Sequence, residues 1–268
     1  MRANNENISD ELYREVLNNN DRIILAIGVI NIKNPELLHK LNTKCLVYQI
    51  EQKTILSDRE NYLLKLFLKG MPNILDFSHN NNYYYKNVDV LIPFIETQTN
   101  SNSKDIDVLF YGSISNRRLI ILDALFKLNK YKIKFVDKCF GKELLDLISR
   151  SKIVLNLHYS DNSFFEIFRI NLAISYNTHI VSEIPTIDNE EYLYELYKNL
   201  VYFVPKLNKD NFYQLDKLIS NLLIKPVIKS HFQLNEIDKI NNISQKVLFE
   251  NLNYIIDSTI NNLQKSNL

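Results

Sequence analysis

From Ile106 to Leu223 the chain alternates short apolar runs with segments of helical period, and few folds accept that order. Strand-length runs stand at Ile106–Tyr111, Lys132–Val136, Lys152–Leu157, His179–Ser182 and Val201–Val204. Helical segments stand at Ser115–Leu128, Lys142–Ser149, Phe164–Ser175, Asp188–Lys198 and Asp210–Leu223. Strands that alternate with helices predict a parallel sheet covered on both faces. The run Ile153–Leu155 shows no polar alternation, which fits burial on both sides.

Upstream the same alternation is shorter. Arg22–Val29, Cys45–Ile50, Ile74–Phe77 and Val88–Ile92 read as strands, and Asp58–Lys69 as a helix with Leu63, Leu64, Phe67 and Leu68 on one side. Ile95–Lys104 is polar and aperiodic, a linker pattern. From Ile237 to Leu263 apolar residues recur at spacings of three and four, one stripe on a long helix. The expected architecture is therefore α/β with two Rossmann-like lobes. A polar segment (1–20) precedes a reduced N-terminal lobe (21–97). A more complete lobe (104–225) and a C-terminal helix packing back on the lobes (226–268) follow. Ligands are expected in a cleft at the carboxyl ends of the strands.

Composition removes several alternatives. With 32 basic and 31 acidic residues among 268, the net charge of +1 argues against a nucleic-acid-coating protein. No run reaches the roughly 18 apolar residues of a membrane span. The N-terminus, MRANNENISDELYREVLNNND, is polar and acidic, so no secretory signal is expected. Cys45 and Cys139 stand in separate apolar segments without metal or disulfide spacing, and a cytoplasmic setting is expected. The glycines are Gly28, Gly70, Gly112 and Gly141, too few and too scattered for a Walker or dinucleotide loop.

Four clusters carry possible chemistry. In DVLFYGSISNRR (107–118) a strand, a glycine turn and a Ser/Asn-rich start lead into a helix. Gly112 permits a tight turn, and free N–H groups at the helix start attract anions. Arg117 and Arg118 in the first turn oppose the helix dipole, which a bound anion would compensate; otherwise they point into water or pair with an acid. Asn156 and His158, two apart at a strand end, share a face at the ligand edge; His158 is a structural hydrogen-bonder or a site residue. Glu166 and Arg169, three apart on an apolar helix, form an intrahelical pair or reach a ligand. Glu183 closes the list of candidates, just after the next strand. Asp105–Ile106–Asp107 spells a D-x-D pattern, but at the strand end opposite the expected cleft, so no metal is expected there. Tyr83–Tyr84–Tyr85 reads as an exposed loop or strand edge.

The runs DIDVLFYGSISNRR and SRSKIVLNLHYSDNSFFEIFRINLAISYNTHIVSE together resemble the donor-binding domain of GT-B-fold glycosyltransferases. The likeness is to a bacterial and viral group with DVLFYGS-x-x-x-RR, VLN-x-H, FE-x-x-R and VVSE motifs, and it covers about residues 105–185. Upstream, LDFSHNN resembles the group's DYS-x-x-N segment. The resemblance implies transfer of a sugar from a nucleotide-sugar to a hydroxyl of a glycan, lipid or protein acceptor. It implies no metal and no cofactor beyond the nucleotide-sugar co-substrate. It places the diphosphate at Gly112, Ser113, Arg117 and Arg118. Asn156 and His158 match the strand-end motif, with His158 near the transferred sugar. Glu166 and Arg169 match the ribose and phosphate motif, and Glu183 the next strand-end acid. The N-terminal lobe would take the acceptor, with Glu51 or His79 as the base. The chain departs from the E-x7-E signature of retaining members, since the position eight after Glu166 is Ile174. That departure and the short first lobe leave a second reading, a non-catalytic binding module derived from such an enzyme. A small α/β enzyme of another kind, such as a nucleotide-dependent hydrolase, is disfavoured by the missing phosphate loop.

Overall fold

The computed structural model describes residues 14, 18, 24–27, 40, 44–50, 57–69, 71, 73–78, 88–98, 103–161, 163–185, 191–226 and 231–266. The chain divides into two compact units, Met1–Ile92 with Asn242–Leu268, and Pro93–Asn241.

In the first unit β1 (Ile24–Ile27), β2 (Cys45–Gln49), β3 (Ile74–Asp76) and β4 (Asp89–Val90) lie side by side in sequence order, every neighbour parallel. Helix α1 (Asp58–Leu68) connects β2 to β3 and buries Leu64 and Leu68. All five residues of β2 are buried, as in a parallel strand with no solvent face. The Tyr48 hydroxyl donates to the Leu91 carbonyl at 2.7 Å.

The second unit carries a five-stranded parallel sheet of β5 (Ile106–Tyr111), β6 (Ile133–Val136), β7 (Ser151–Asn156), β8 (His179–Glu183) and β9 (Tyr202–Val204). Between successive strands run α2 (Asn116–Lys127), α3 (Gly141–Ser149), α4 (Ile167–Ser175) and α5 (Glu191–Tyr197), and α6 (Phe212–Leu223) follows β9. The strand order is β6-β5-β7-β8-β9. Side chains alternate between faces along each strand. One face presents Val108, Phe110, Ile153, Leu155 and Val181 to Ile121, Leu122 and Leu125 of α2 and Leu215, Ile219 and Leu222 of α6. Each fully buried aliphatic or aromatic side chain there is worth roughly 1.5–3 kcal/mol. The other face includes Leu109 and Val154, and α3 and α4 contact the strands with Leu147, Ile148, Ile170 and Ala173 among their buried residues. The sheet is thus doubly wound, and its order reverses between β5 and β7. In such sheets the crevice outside the carboxyl ends at the reversal is where ligands bind.

Helix α7 (His231–Ser266) is the long C-terminal helix that the spacing predicts. Its residues up to Asn241 group with the second unit and those from Asn242 with the first. Within the first unit Asn251 donates to Asp89 Oδ2 at 2.9 Å. The buried stripe is Ile237, Ile240, Ser244 and Ile255, whereas Ile256 is exposed.

Three local expectations change. The helix expected from Phe164 begins at Ile167, because Glu166 stands at its N-cap with its carboxylate drawn to two arginines instead of to the helix N–H groups. Glu183 is the last residue of β8 and not the residue after it. Ile95, in the expected linker, is buried, and its N–H and C=O both bond the Asn241 side chain at 2.8 and 2.9 Å. Among sites expected from the sequence, Glu51, His79 and Tyr83–Tyr84–Tyr85 lie outside the described residues.

Candidate functional site

Five elements bring the sequence-predicted residues to one place. The turn after β5 carries Gly112 and Ser113, the first turn of α2 carries Arg117 and Arg118, β7 ends in Asn156 before His158, and β8 ends in Glu183. Glu166 and Arg169 come in at the start of α4. All stand at the carboxyl ends of β5, β7 and β8, around the strand-order reversal.

Glu183 is wholly buried and collects four donors. The His158 N–H reaches Oε2 at 2.7 Å and the Leu207 N–H reaches Oε1 at 2.6 Å. Arg117 meets both oxygens, its Nη1 at 2.8 Å from Oε2 and its Nη2 on Oε1. Arg117 also donates to the carbonyls of His158 at 3.0 Å and Leu207 at 3.3 Å. This pair therefore ties the end of β8 to the segments after β7 and β9. Lys206, beside Leu207, pairs with Asp161 at 2.5 Å.

Arg118 is only 2% exposed, yet every nitrogen of its guanidinium has an acceptor. Nε and Nη2 donate to the Leu157 carbonyl at 2.9 and 2.6 Å, Nη1 to the Ser113 carbonyl at 2.7 Å, and Nη2 to Glu166 Oε1 at 2.8 Å. Its carbon lies 5.4 Å from the Phe110 ring centroid and 5.3 Å from that of Tyr159. Burial pulls its pKa down to about 10, far enough above neutrality to keep it charged. Ser115 Oγ caps α2 by accepting the Arg118 N–H at 3.3 Å. The first turn holds no acid, so Glu166 and Glu183, from elsewhere in the sheet, compensate the two arginines.

The second oxygen of Glu166 takes Nη1 of Arg169, which also donates to Asn156 Oδ1 at 2.7 Å. Asn156 is held in turn by its Nδ2 bond to Ser182 Oγ at 2.9 Å. The Tyr111 hydroxyl donates to the Arg169 carbonyl at 3.1 Å. Arg169 Nη2 donates to none of the described residues and lies over Gly112. A Cβ on Gly112 would come within 2.5 Å of it, and the glycine φ of +123° is one that side chains rarely adopt. Three guanidiniums (Arg117, Arg118, Arg169) against two carboxylates (Glu166, Glu183) leave the cluster one positive charge in excess. Ser113 and Ile114, which follow Gly112, are exposed.

His158 is 1% exposed, and neither ring nitrogen has a partner among the described residues. Burial holds its pKa below 6.5, outweighing the nearby Glu183 and Glu166 carboxylates. Its imidazole is enclosed in the cluster, where burial disfavours the charged form. The D-x-D carboxylates sit at the amino end of β5, each paired to a cation, Asp105 to Arg150 at 2.7 Å and Asp107 to Lys152 at 2.7 Å. Among the described residues no three His, Cys, Asp or Glu side chains gather as a metal site. Leu207, Leu157, Ser182 and Tyr111 complete the cluster but escape a sequence reading. Leu207 and Leu157 act through backbone groups, and Ser182 and Tyr111 look like ordinary strand residues.

No family model matches the chain. An uncharacterized protein of Acanthamoeba polyphaga mimivirus is 28% identical in an alignment of 183 positions that covers 63% of this chain and 58% of that protein. The chain thus spans less than two thirds of that relative's length. Solved structures with a similar chain path include AviGT4, a glycosyltransferase involved in avilamycin A biosynthesis, at a TM-score of 0.49 and 11% identity over 92% of this chain and 88% of that one. The GtfA/B complex aligns at a TM-score of 0.42 and 8% identity, over 86% of this chain and 55% of that one. The glycotransferase of kitacinnamycin aligns at 0.41 and 9%, over 88% and 75%. Among the described residues no helix is long and apolar enough to cross a membrane.

Proposed function

We propose that the second unit binds the diphosphate of a nucleotide-sugar and that the chain transfers the sugar to an acceptor hydroxyl without a metal. The observation that carries this reading is the open Nη2 edge of Arg169 above Gly112, at the strand-order reversal of a doubly wound sheet. Sugar transfer leaves charge on the departing diphosphate, and fixed donors aimed at that charge are the efficient way to stabilise it. Arg169, the exposed turn at Ser113 and Ile114, and the N-terminus of α2 offer such donors without a metal ion. The string of motifs from Asp107 to Glu183 supports the same reading by resemblance to GT-B glycosyltransferases. Arg117, Arg118 and Glu183 serve it as supports, since their polar atoms are already engaged with protein groups. The first unit takes the acceptor, a glycan, lipid or protein, with Glu51 or His79 as base. A cytoplasmic setting suits the two free cysteines, Cys45 and Cys139.

A second reading has its own support. Arg117 and Arg118 each find a carboxylate within the protein, Glu183 and Glu166, so neither requires an anion, as suits a non-catalytic binding module derived from such an enzyme. One experiment separates the two. The protein is screened by thermal shift against UDP, GDP, CMP and TDP, with and without EDTA, and then assayed for hydrolysis of the matching nucleotide-sugars. A shift insensitive to EDTA, lost in Arg169→Ala and accompanied by sugar release, supports transfer. A shift without sugar release supports the binding module, and no shift removes the nucleotide site.

A further inference from the structure

The geometry points to Arg118 as a positioning residue that keeps the anion-contacting edge of Arg169 open by holding Glu166 to a single-point contact. This inference rests on the anion site proposed above and assigns Arg118 a role other than touching the ligand.

A carboxylate beside a guanidinium prefers a two-point pair, each oxygen facing one N–H. Arg117 and Glu183 make that pair. Glu166 and Arg169 do not. Glu166 gives one oxygen to Arg169 Nη1 and the other to Arg118 Nη2, at 2.8 Å. Nη1 is also held by Asn156 Oδ1, which leaves Nη2 without a partner among the described residues. Arg118 in turn cannot swing away. Its other donors are anchored on the Leu157 and Ser113 carbonyls, and its guanidinium packs near Phe110 and Tyr159. Without Arg118, the freed Glu166 oxygen would turn to the remaining edge of Arg169, and the pair would close as Arg117 and Glu183 do. The anion edge would be lost although Arg169 itself is intact.

The test uses the full chain with inorganic pyrophosphate as probe, because pyrophosphate needs no knowledge of the nucleotide or sugar. Calorimetry should show Arg118→Met weakening pyrophosphate by roughly tenfold or more, which is the loss of one charge-assisted contact. The double variant Arg118→Met with Glu166→Gln should regain most of that loss, since a neutral amide does not capture the edge. Arg118→Lys, which keeps a cation but cannot hold three acceptors in one plane, should weaken binding nearly as much as Arg118→Met. The ligand-free readout is the arginine Nε–H spectrum. The Arg169 resonance should move in Arg118→Met and in Arg118→Lys, and return toward its wild-type position in the double variant. A core control such as Ile219→Val should leave it in place. An unmoved Arg169 resonance, or a double variant that binds no better than Arg118→Met, overturns the inference. Wild-type protein that binds no pyrophosphate overturns the anion site itself, and the ligand-free spectra still decide what Arg118 does. If Arg118→Met fails to fold, the Arg118→Lys spectrum decides alone.

Discussion

Arg117 at the start of α2 and Glu183 at the end of β8 form a two-point ion pair, 66 positions apart in sequence, with the carboxylate wholly buried. Glu183 also accepts two backbone N–H groups, so it is the point at which three strand-end segments are held together. Removing one member of a buried pair leaves the other charge uncompensated, at a cost of about 3–5 kcal/mol. Glu183→Gln should lower the unfolding free energy by about that amount, read from the urea midpoint at constant m-value. A change under about 1 kcal/mol would mean that the pair is dispensable.

Gly112 should be intolerant of any side chain. Alanine there meets an unfavourable φ, worth about 1–3 kcal/mol, and its Cβ displaces the Arg169 guanidinium. Gly112→Ala should lose nucleotide and pyrophosphate binding by calorimetry while the circular dichroism of the fold is kept. Unchanged affinity would show that Arg169 is not the contact.

His158 should make the protein acid-sensitive. Its folded pKa lies below 6.5, so below that value the unfolded chain binds the proton that the folded chain refuses. The associated stability is full above pH 6.5 and declines as pH falls toward the folded value. His158→Leu removes two buried nitrogens without partners among the described residues, so it should gain about 1 kcal/mol at pH 8. The gap between the two proteins should widen below pH 6.5 in urea titrations at several pH values. A constant gap across pH 5–8 would show that His158 is not excluded from protonation.

The D-x-D carboxylates should be irrelevant to anion binding. Asp105 and Asp107 face Arg150 and Lys152 at the amino end of β5, away from the carboxyl-end cluster. Asp105→Asn should leave the nucleotide thermal shift unchanged, with or without EDTA and manganese. A shift that depends on manganese and vanishes in Asp105→Asn would make this the donor site after all.

Some of this was legible in the residues and some was not. The run IDVLFY is β5 at its expected bounds, because an apolar run of strand length closed by Gly112 admits little else. Asn177, just after α4, has φ +53°, a left-handed conformation that asparagine tolerates better than most residues. The start of α4 was misread by three residues, because Phe164 and Phe165 suit a helix locally but are buried in the approach to it. For Arg117 and Arg118 the residues leave three outcomes open, a bound anion, a paired acid or plain solvent.

By itself the sequence determined the alternation of strand and helix, the doubly covered sheet, and the gathering of polar residues just past strand ends. Those properties are local, written in periods of two and of 3.6 residues. Only the tertiary structure decided that Arg117 takes Glu183, that Arg118 takes Glu166 from 48 positions away, and that one edge of Arg169 is left over. The physical reason is strand order. The sheet reverses between β5 and β7, and that reversal sets which strand ends are neighbours and which charges can meet.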